Sequence, residues 1–247
     1  MGDWDGEAGA SHSNPSGGGS MKTLIVPDVH EDISTLMRIE SRWMGDVDRV
    51  VMLGDFFDTF GSSNVHEICE WILRHINDER FTWLFGNHDC HYVFDHPRFG
   101  CSGFKLHKRI IIHSMTMLRD GVWRKFKMWT EVPGVDGVPI VVSHAGFHPD
   151  TLQYKAPNIQ EEALALAFSG EFHPLWNAGA ARGGRGRSGV TWLDWEQEFT
   201  PISGMPQIVG HTKGRKVRTK EESYCIDTAL NHVAIVEDGV VSIHATA

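Results

Sequence analysis

The side chains of this 247-residue chain that could do chemistry occur in five short polar clusters. The clusters offer aspartate, asparagine and histidine, and each follows a run of β-branched or other apolar residues. Carboxylate, imidazole and amide groups together make a mixed nitrogen and oxygen donor set, which suits Mn, Fe, Zn or Ni rather than a structural zinc. In chain order, the candidate ligands are Asp28, His30, Asp55, Asn87, His144 and His211.

Six protein ligands are too many for one catalytic ion, which needs an open coordination position. Divided between two ions that share a carboxylate, the same ligands form a paired site. Paired ions about 3.5–4 Å apart clamp a phosphorus centre during in-line displacement. The donor set therefore predicts a two-metal site that acts on phosphate esters.

Short strands that alternate with helices would position these clusters. Continuous apolar runs of this kind are typical of strands covered on both faces, and the spacing between the first three runs is helical. The alternation predicts an α/β fold in which functional side chains collect at the carboxyl ends of strands. The predicted strands are residues 23–27, 49–53, 81–85, 139–142, 207–209, 223–226, 233–236 and 240–244, and the predicted helices are 33–43, 65–76 and 161–169. Asp238-Gly239 is a predicted hairpin turn.

The composition argues against several other classes of protein. Asp and Glu outnumber Lys and Arg by 32 to 23, and a net charge of −9 argues against nucleic acid as a partner. No apolar run approaches the roughly 18 residues of a membrane helix, so no membrane partner is expected. The four cysteines form no CxxC pair, so we expect free thiols in a reducing compartment and a cytoplasmic protein. The oligomeric state stays open.

The first twenty residues differ from everything that follows. They contain six glycines and no lysine or arginine. We interpret residues 1–20 as a disordered tail, an expression tag with a Gly-Gly-Gly-Ser linker, and residues 21–247 as one domain. Within that domain, residues 147–205 are predicted to form a cap-like insert with a flexible Arg-Gly loop, and residues 90–119 show little periodicity.

The clusters resemble those of the calcineurin-like metallophosphoesterases, where the same motifs occur in the same order. The resemblance is greatest to the branch of phosphoprotein phosphatases and symmetrical diadenosine-tetraphosphate hydrolases, because Gly189–Trp195 and Ile226–Thr228 also resemble segments of that branch. It implies a four-layer sandwich of two mixed β-sheets flanked by helices. The motifs are Asp28-x-His30, Gly54-Asp55-x-x-Asp58, Gly86-Asn87-His88-Asp89, His144-Ala145-Gly146 and Gly210-His211-Thr212.

The resemblance also implies a role for each residue of the site. His88 would protonate the leaving oxygen, and Asp58 would orient His88 and support its charge. A hydroxide between two divalent metal ions would be the nucleophile, and Asp55 would bridge the ions. The other ligands would be Asp28 and His30 for one ion, and Asn87, His144 and His211 for its neighbour.

Two departures from the family pattern bear on the substrate. The phosphatase branch usually carries a phosphate-binding Arg-Gly after the second motif, whereas this chain has Thr59 and Phe60. Lys213 replaces the second histidine of the Gly-His-x-His found in many other members, so the first ion keeps three protein ligands. Candidates for substrate contact are Arg182, Arg185 and Arg187 in the Gly-rich run and His91 and His148 beside the ligand loops.

We therefore predict a dinuclear hydrolase of phosphomonoesters or small phosphodiesters, including nucleotides. Manganese is the expected ion in vitro, with Fe, Zn or Ni as alternatives. Two narrower alternatives are a protein serine/threonine phosphatase and a dinucleoside polyphosphate hydrolase. A nuclease of the same fold is disfavoured by the acidic surface. An alternative from a different class is a non-catalytic binding module with the same fold.

Overall fold

Two mixed β-sheets form the framework of the chain. The computed structural model describes residues 21–59, 61, 63–116 and 121–247, so the predicted tail at residues 1–20 lies outside the described residues. The strands are β1 (Thr23–Val26), β2 (Arg49–Met52), β3 (Phe81–Leu84), β4 (Phe126–Lys127), β5 (Trp129–Val132), β6 (Ile140–Ser143), β7 (Gln207–Val209), β8 (Arg218–Lys220), β9 (Ser223–Cys225), β10 (His232–Glu237) and β11 (Val240–Ala245).

Each sheet combines parallel strands with antiparallel strands at one or both edges. The six-stranded sheet has the order β11-β10-β1-β2-β3-β4, with β1 to β4 parallel and β10 antiparallel to β1. The five-stranded sheet has the order β5-β6-β7-β9-β8, in which β6, β7 and β9 are parallel. Parallel neighbours end at the same edge, so the loops that follow β1, β2 and β3 are brought together, as are those after β6 and β7.

The apolar strands divide their side chains between two layers of core. On β1, Ile25 joins a cluster that includes Val142 and Ile208 of the other sheet, whereas Leu24 and Val26 join the cluster that contains the helices. This alternation is the period-two pattern of a strand buried on both faces. The sheets therefore pack face to face around the Ile25 layer, with helices on the outside.

Among the described residues, five α-helices flank the sheets. Asp32 caps the first of them, and its side chain accepts a hydrogen bond of 3.1 Å from the backbone N–H of Thr35. The helices are α1 (Ile33–Ile39, continued by a π-helical turn at Glu40–Met44), α2 (Val65–His75), α3 (Asn87–Val93), α4 (Leu106–Thr116) and α5 (Pro157–Phe168). Short 3₁₀ helices lie at Pro97–Phe99, Trp123–Lys125, Val135–Gly137, Pro149–Tyr154, Pro174–Trp176 and Ala180–Arg182. Within the described ranges, no helix has both the length and the apolar character needed to cross a membrane.

The predicted α/β fold of two mixed sheets with flanking helices is confirmed. The predicted hairpin turn joins β10 to β11, with positive φ at both Asp238 and Gly239, as a tight turn of this type requires. The predicted helix at 161–169 begins earlier, as α5. The sequence pattern did not predict α3, α4, β4, β5 or β8. The division of the chain into a tail, a domain and a cap-like insert stays a prediction.

Helix α4 escaped prediction because it buries a lysine and exposes two apolar residues. Its Lys108 is buried at 5% exposure, while Leu106 and Ile110 are 64% and 61% exposed. An amphipathic pattern places apolar side chains on the buried face, so these three residues obscure the signal that the buried Ile112 carries. The cause is tertiary, because Lys108 turns inward to form an ion pair with Glu31.

Candidate active site

The predicted ligands lie in loops at the carboxyl ends of five strands. Asp28 and His30 follow β1, Asp55 follows β2, and Asn87 opens the helix after β3. In the other sheet His144 follows β6, and His211 follows β7. The two groups meet because the His144 Nδ1 atom lies 2.9 Å from the carbonyl oxygen of Leu53, and the backbone N–H of His211 donates to Asp28.

Strained backbone brings these side chains close together. His30, Asp55 and His211 have φ values of 45°, 49° and 65°, a left-handed conformation that costs energy for residues other than glycine. Two glycines of the motifs make room for the carboxylates: a Cβ atom on Gly86 would overlap Asp55, and one on Gly210 would overlap Asp28. A side chain at either glycine would therefore displace one of the two carboxylates that are predicted metal ligands.

The acceptor atoms of Asp28, His30 and Asp55 form one set. The Nδ1 atom of His30 lies 3.0 Å from the carbonyl oxygen of Phe57. Because a carbonyl only accepts, Nδ1 carries the proton, and a neutral ring then has its lone pair on Nε2. That lone pair faces Asp55, with Nε2 3.7 Å from Oδ2. Ligand atoms of Asp28, His30 and Asp55 all lie within 4.8 Å of one another.

The acceptor atoms of Asp55, Asn87, His144 and His211 form a second set. Its Nδ1 donates to the Leu53 carbonyl, so the lone pair of the neutral ring is on Nε2. Burial lowers the pKa of His144, which keeps the ring neutral. Its Nε2 lies 3.1 Å from Asn87 Oδ1, 3.2 Å from His211 Nδ1 and 3.5 Å from Asp55 Oδ2. Atoms that carry lone pairs therefore converge on one point.

The same oxygen of Asp55 belongs to both sets, since Oδ2 faces His30 Nε2 and His144 Nε2. Lone pairs that face one another repel unless a cation lies between them. The donor set, without a thiolate, suits two divalent ions that share the Asp55 carboxylate. The residues present therefore fit a pair of metal ions.

The negative charge of the site also favours bound cations. Burial, Asp227 and Asp55 together raise the pKa of Asp28 well above its usual range. Burial likewise raises the pKa of Asp227. Burial acts in the same direction on Asp55, but positive charge on the rings of His144, His88 and His30 would outweigh it and lower the pKa of Asp55. Three buried carboxylates, Asp28, Asp55 and Asp227, thus lie near one another, and no lysine or arginine of the described chain forms an ion pair with any of them.

Asp58 occupies a different environment on the same loop. Its Oδ2 atom lies 2.9 Å from Nδ1 of His88 and 2.8 Å from Nε2 of His91. Its Oδ1 atom accepts a 2.5 Å hydrogen bond from the hydroxyl of Tyr92, with Lys108 Nζ 3.5 Å away. Burial would lower the pKa of His88, but Asp55 and Asp58 raise it to about 11. The two carboxylates thus favour the protonated form of the His88 ring, which has a proton to give.

Two further acidic side chains hold the ligand loops in shape. The Oδ2 atom of Asp89 accepts from the backbone N–H of Asp55 at 2.8 Å and of Gly86 at 2.9 Å. Burial and the nearby Asp55 raise the pKa of Asp89 to about 8. Glu31 accepts from the backbone N–H of Asp58 at 2.8 Å and pairs with Lys108. These contacts fix the backbone of the Asp55–Asp58 loop from both sides.

A cavity of about 890 Å³ opens above the ligands. Among the predicted substrate contacts, Arg182 and Arg185 line it. The others lie outside its described lining. Arg187 pairs with Asp150 at 2.8 Å, His148 Nδ1 accepts from the backbone N–H of Asp150, and His91 is buried against Asp58. Other side chains that line the cavity are His30, Asp55, Asn87, His88, Arg98, Cys101, Phe172, Asn177, Trp192 and His211.

A model of the calcineurin-like phosphoesterase family matches residues 21–200, most of the chain. The chain belongs to this family. As a calcineurin-like phosphoesterase, the protein hydrolyses phosphate esters, and the predicted family and fold are confirmed. No curated protein matches it in sequence.

Solved structures share the fold of this calcineurin-like phosphoesterase at low sequence identity. A cold-active protein-tyrosine phosphatase from a psychrophilic Shewanella species is 16% identical, with a TM-score of 0.64, and the match covers 92% of this chain and 78% of that one. A protein serine/threonine phosphatase from Saccharomyces cerevisiae is 13% identical, with a TM-score of 0.50, and the match covers 91% and 79%. At such identities the likeness shows the fold alone.

Sequence reasoning missed several residues that shape the site of this phosphoesterase. Asp89 and Asp227 lie inside quoted motifs, so their positions beside the ligands were a usable signal. Glu31, next to His30, carried a weaker signal. Nothing local pointed to Lys108, whose helix lacks a clear amphipathic pattern. The remaining missed residues are Tyr92 and Cys101, which contact Asp58 and His88, and Arg98, which lines the cavity.

Proposed function

We propose that this phosphoesterase hydrolyses phosphomonoesters or small phosphodiesters with two divalent metal ions, manganese being the ion of choice in vitro. The observation that carries the proposal is that one oxygen, Asp55 Oδ2, faces both sets of acceptor atoms. The proposed ligands are Asp28 and His30 on one side of Asp55, and Asn87, His144 and His211 on the other. When bound, the ions would activate water and offset the charge of the phosphate.

His88 is the proposed general acid. It lines the cavity, and its ring is held by Asp58 through Nδ1, which leaves Nε2 free to give a proton to the leaving oxygen. The backbone N–H of His88 also donates to Asp55 Oδ1 at 2.8 Å. The acid and the bridging carboxylate are thereby fixed relative to each other.

Arg182 is the proposed phosphate-binding arginine. Its guanidinium is held by Asp194 Oδ2 at 2.8 Å and by Thr212 Oγ1 at 3.3 Å, and it lines the cavity. Its charge helps to lower the pKa of His211 after burial and His144, so it lies near that ligand. A planar guanidinium held in this way can bind two phosphate oxygens. It would supply the phosphate contact that the phosphatase branch usually makes with an arginine at the position of Thr59.

The cavity supports a small substrate. A volume of about 890 Å³ is within the range of sites for small molecules, and this favours a small ester over a folded phosphoprotein. Serine/threonine phosphatase and dinucleoside polyphosphate hydrolase activities remain narrower alternatives. The complete set of acceptor atoms argues against a non-catalytic binding module. The four free cysteines support the expected cytoplasmic location.

The test is hydrolysis of p-nitrophenyl phosphate and bis-p-nitrophenyl phosphate by protein stripped with a chelator and refilled with Mn²⁺. We expect release that depends on the metal, and the ratio of the two rates separates monoesterase from diesterase activity. Asp55→Asn is the control and should abolish release. If no metal restores activity on either ester, the proposal for these substrates is wrong.

A further inference from the structure

The outer part of the cavity carries two arginines that the proposed reaction does not use. Arg98 lies in the 3₁₀ helix after α3, and Arg185 lies in the Gly-rich run. Both line the same cavity as His88 and the metal ligands. They approach the cavity from two separate segments of the chain.

Arg98 is held in place although it is exposed. Its Cζ atom lies 3.8 Å from the centroid of the Phe172 ring, and its Nη2 atom donates to Asn177 Oδ1 at 2.7 Å. Stacking on an aromatic ring and a hydrogen bond together restrict a side chain that is otherwise flexible. The guanidinium thus keeps a fixed orientation at the cavity wall.

Asn177 joins the two arginine-bearing segments. Its Oδ1 atom accepts from Arg98, while its Nδ2 group donates to the carbonyl oxygens of Arg185 at 2.7 Å and Arg187 at 2.8 Å. One amide side chain therefore uses both of its ends to hold the two segments together. Asn177 itself also lines the cavity.

Neither Arg98 nor Arg185 is neutralised by an acidic partner. In the part of the chain that the structure describes, Arg182 pairs with Asp194 and Arg187 with Asp150, but no carboxylate lies within ion-pair distance of Arg98 or Arg185. Two positive charges without counter-charges, at the wall of a cavity in a protein of net charge −9, favour an anionic ligand. Guanidinium groups suit phosphate in particular, because they bind it through two parallel hydrogen bonds.

We propose that Arg98 and Arg185, held by Asn177, form a second phosphate subsite, so that the preferred substrate is a small phosphate ester carrying a further phosphate group. This inference rests on the proposed function, in which the ester phosphate that reacts lies at the metal ligands. The second phosphate binds at the outer wall and is not cleaved there. The subsite distinguishes bisphosphates from monophosphates.

The test compares fructose 6-phosphate with fructose 1,6-bisphosphate as competitive inhibitors of p-nitrophenyl phosphate hydrolysis by the Mn²⁺-loaded protein. We expect the bisphosphate to bind at least about tenfold more tightly, which is the effect of one charge-assisted hydrogen-bonded contact. Arg98→Gln and Arg98→Gln/Arg185→Gln should bring the ratio of inhibition constants towards one. Arg42→Gln is the matched control, because Arg42 donates to the carbonyl oxygen of Ala247 and is not among the residues that line the cavity, and it should leave the ratio as it is.

A second measurement separates this inference from the proposed function. Calorimetry with the Mn²⁺-loaded His88→Asn protein, which should keep its metal and turn over alkyl phosphates slowly, measures binding of the two sugars. Preference for the bisphosphate that is lost in His88→Asn/Arg98→Gln supports the subsite even if no ester is hydrolysed. Equal affinity for the two sugars, or a preference that survives removal of both arginines, overturns the subsite even if hydrolysis depends on metal.

Discussion

Asp55 and Asp58 lie on one loop, and their environments are opposite. Both are buried, at 2% and 5% exposure, and both have a left-handed backbone. Asp55 Oδ2 faces the acceptor atoms of His30 and His144. Asp58 is surrounded by groups that donate, which are His88, His91, Tyr92 and Lys108.

Two carboxylates on one short segment can thus have different roles, because their surroundings differ. A buried carboxylate must be compensated, either by donors within the protein or by a cation from outside. Asp58 is compensated by the chain itself and can therefore orient His88. The negative charge of Asp55 is compensated only in part, and a bound metal ion would compensate the remainder.

The largest expected effect comes from changing each carboxylate to the amide. Asp55→Asn should remove bound metal and lower the turnover of p-nitrophenyl phosphate by more than about 10³-fold, because both ions share this ligand. Asp58→Asn is the matched change and should retain the metal, with a smaller loss of turnover. Metal content after dialysis, measured by atomic emission, and initial rates check both. Equal metal content in the two variants would contradict the assignment of Asp55 as a ligand and Asp58 as a residue that only positions His88.

Removal of a donor near Asp58 should destabilise the fold. Lys108→Met leaves Glu31 buried without its cation, since the Glu31 and Lys108 side chains are 0% and 6% exposed. We expect the free energy of unfolding to fall by about 3 kcal/mol, as when one partner of a buried ion pair is removed. Urea unfolding measures it. Glu31→Gln/Lys108→Met should regain part of the loss, and a loss below about 1 kcal/mol for the single variant contradicts the prediction.

The role of His88 can be separated from that of the ligands by the leaving group. His88→Asn should lower turnover by about 10²-fold on alkyl phosphates, whose leaving oxygen needs a proton, and by much less on p-nitrophenyl phosphate. Metal content should not change. The ratio of the two losses is the readout, and equal losses on the two esters would count against an acid role.

The smallest expected effect is a difference in thiol reactivity at Cys101, which contacts the Asp58 partner His91. Cys101 lines the cavity and lies 3.0 Å from His91 Nδ1, whereas Cys69, Cys90 and Cys225 are buried. Burial raises the pKa of Cys69 to about 12 and has the same effect on Cys225, which makes these thiols inert. Ellman's reagent should therefore modify one thiol in the native protein, and none in Cys101→Ser. Rapid reaction of more than one thiol would contradict this.

Much of the fold could be predicted from the sequence because apolar β-branched runs carry a local signal. The strands β1, β2, β3, β6 and β7 fall within a residue of their predicted ends. The short strand β4 and the helix α4 could not be predicted, since the first is only two residues long and the second buries a lysine. Their structure depends on distant partners.

For the site, the residue types that follow each strand can be read along the chain, and they were sufficient to predict the candidate ligands and the family. The folded arrangement was needed to show which oxygen of Asp55 faces both acceptor sets, which ring nitrogen of His30 and His144 carries the proton, and that Arg182 and Arg185 line the cavity while Arg187 does not. Residue types are local properties of the chain, whereas hydrogen-bond direction, burial and charge compensation depend on atoms that only folding brings within a few ångströms.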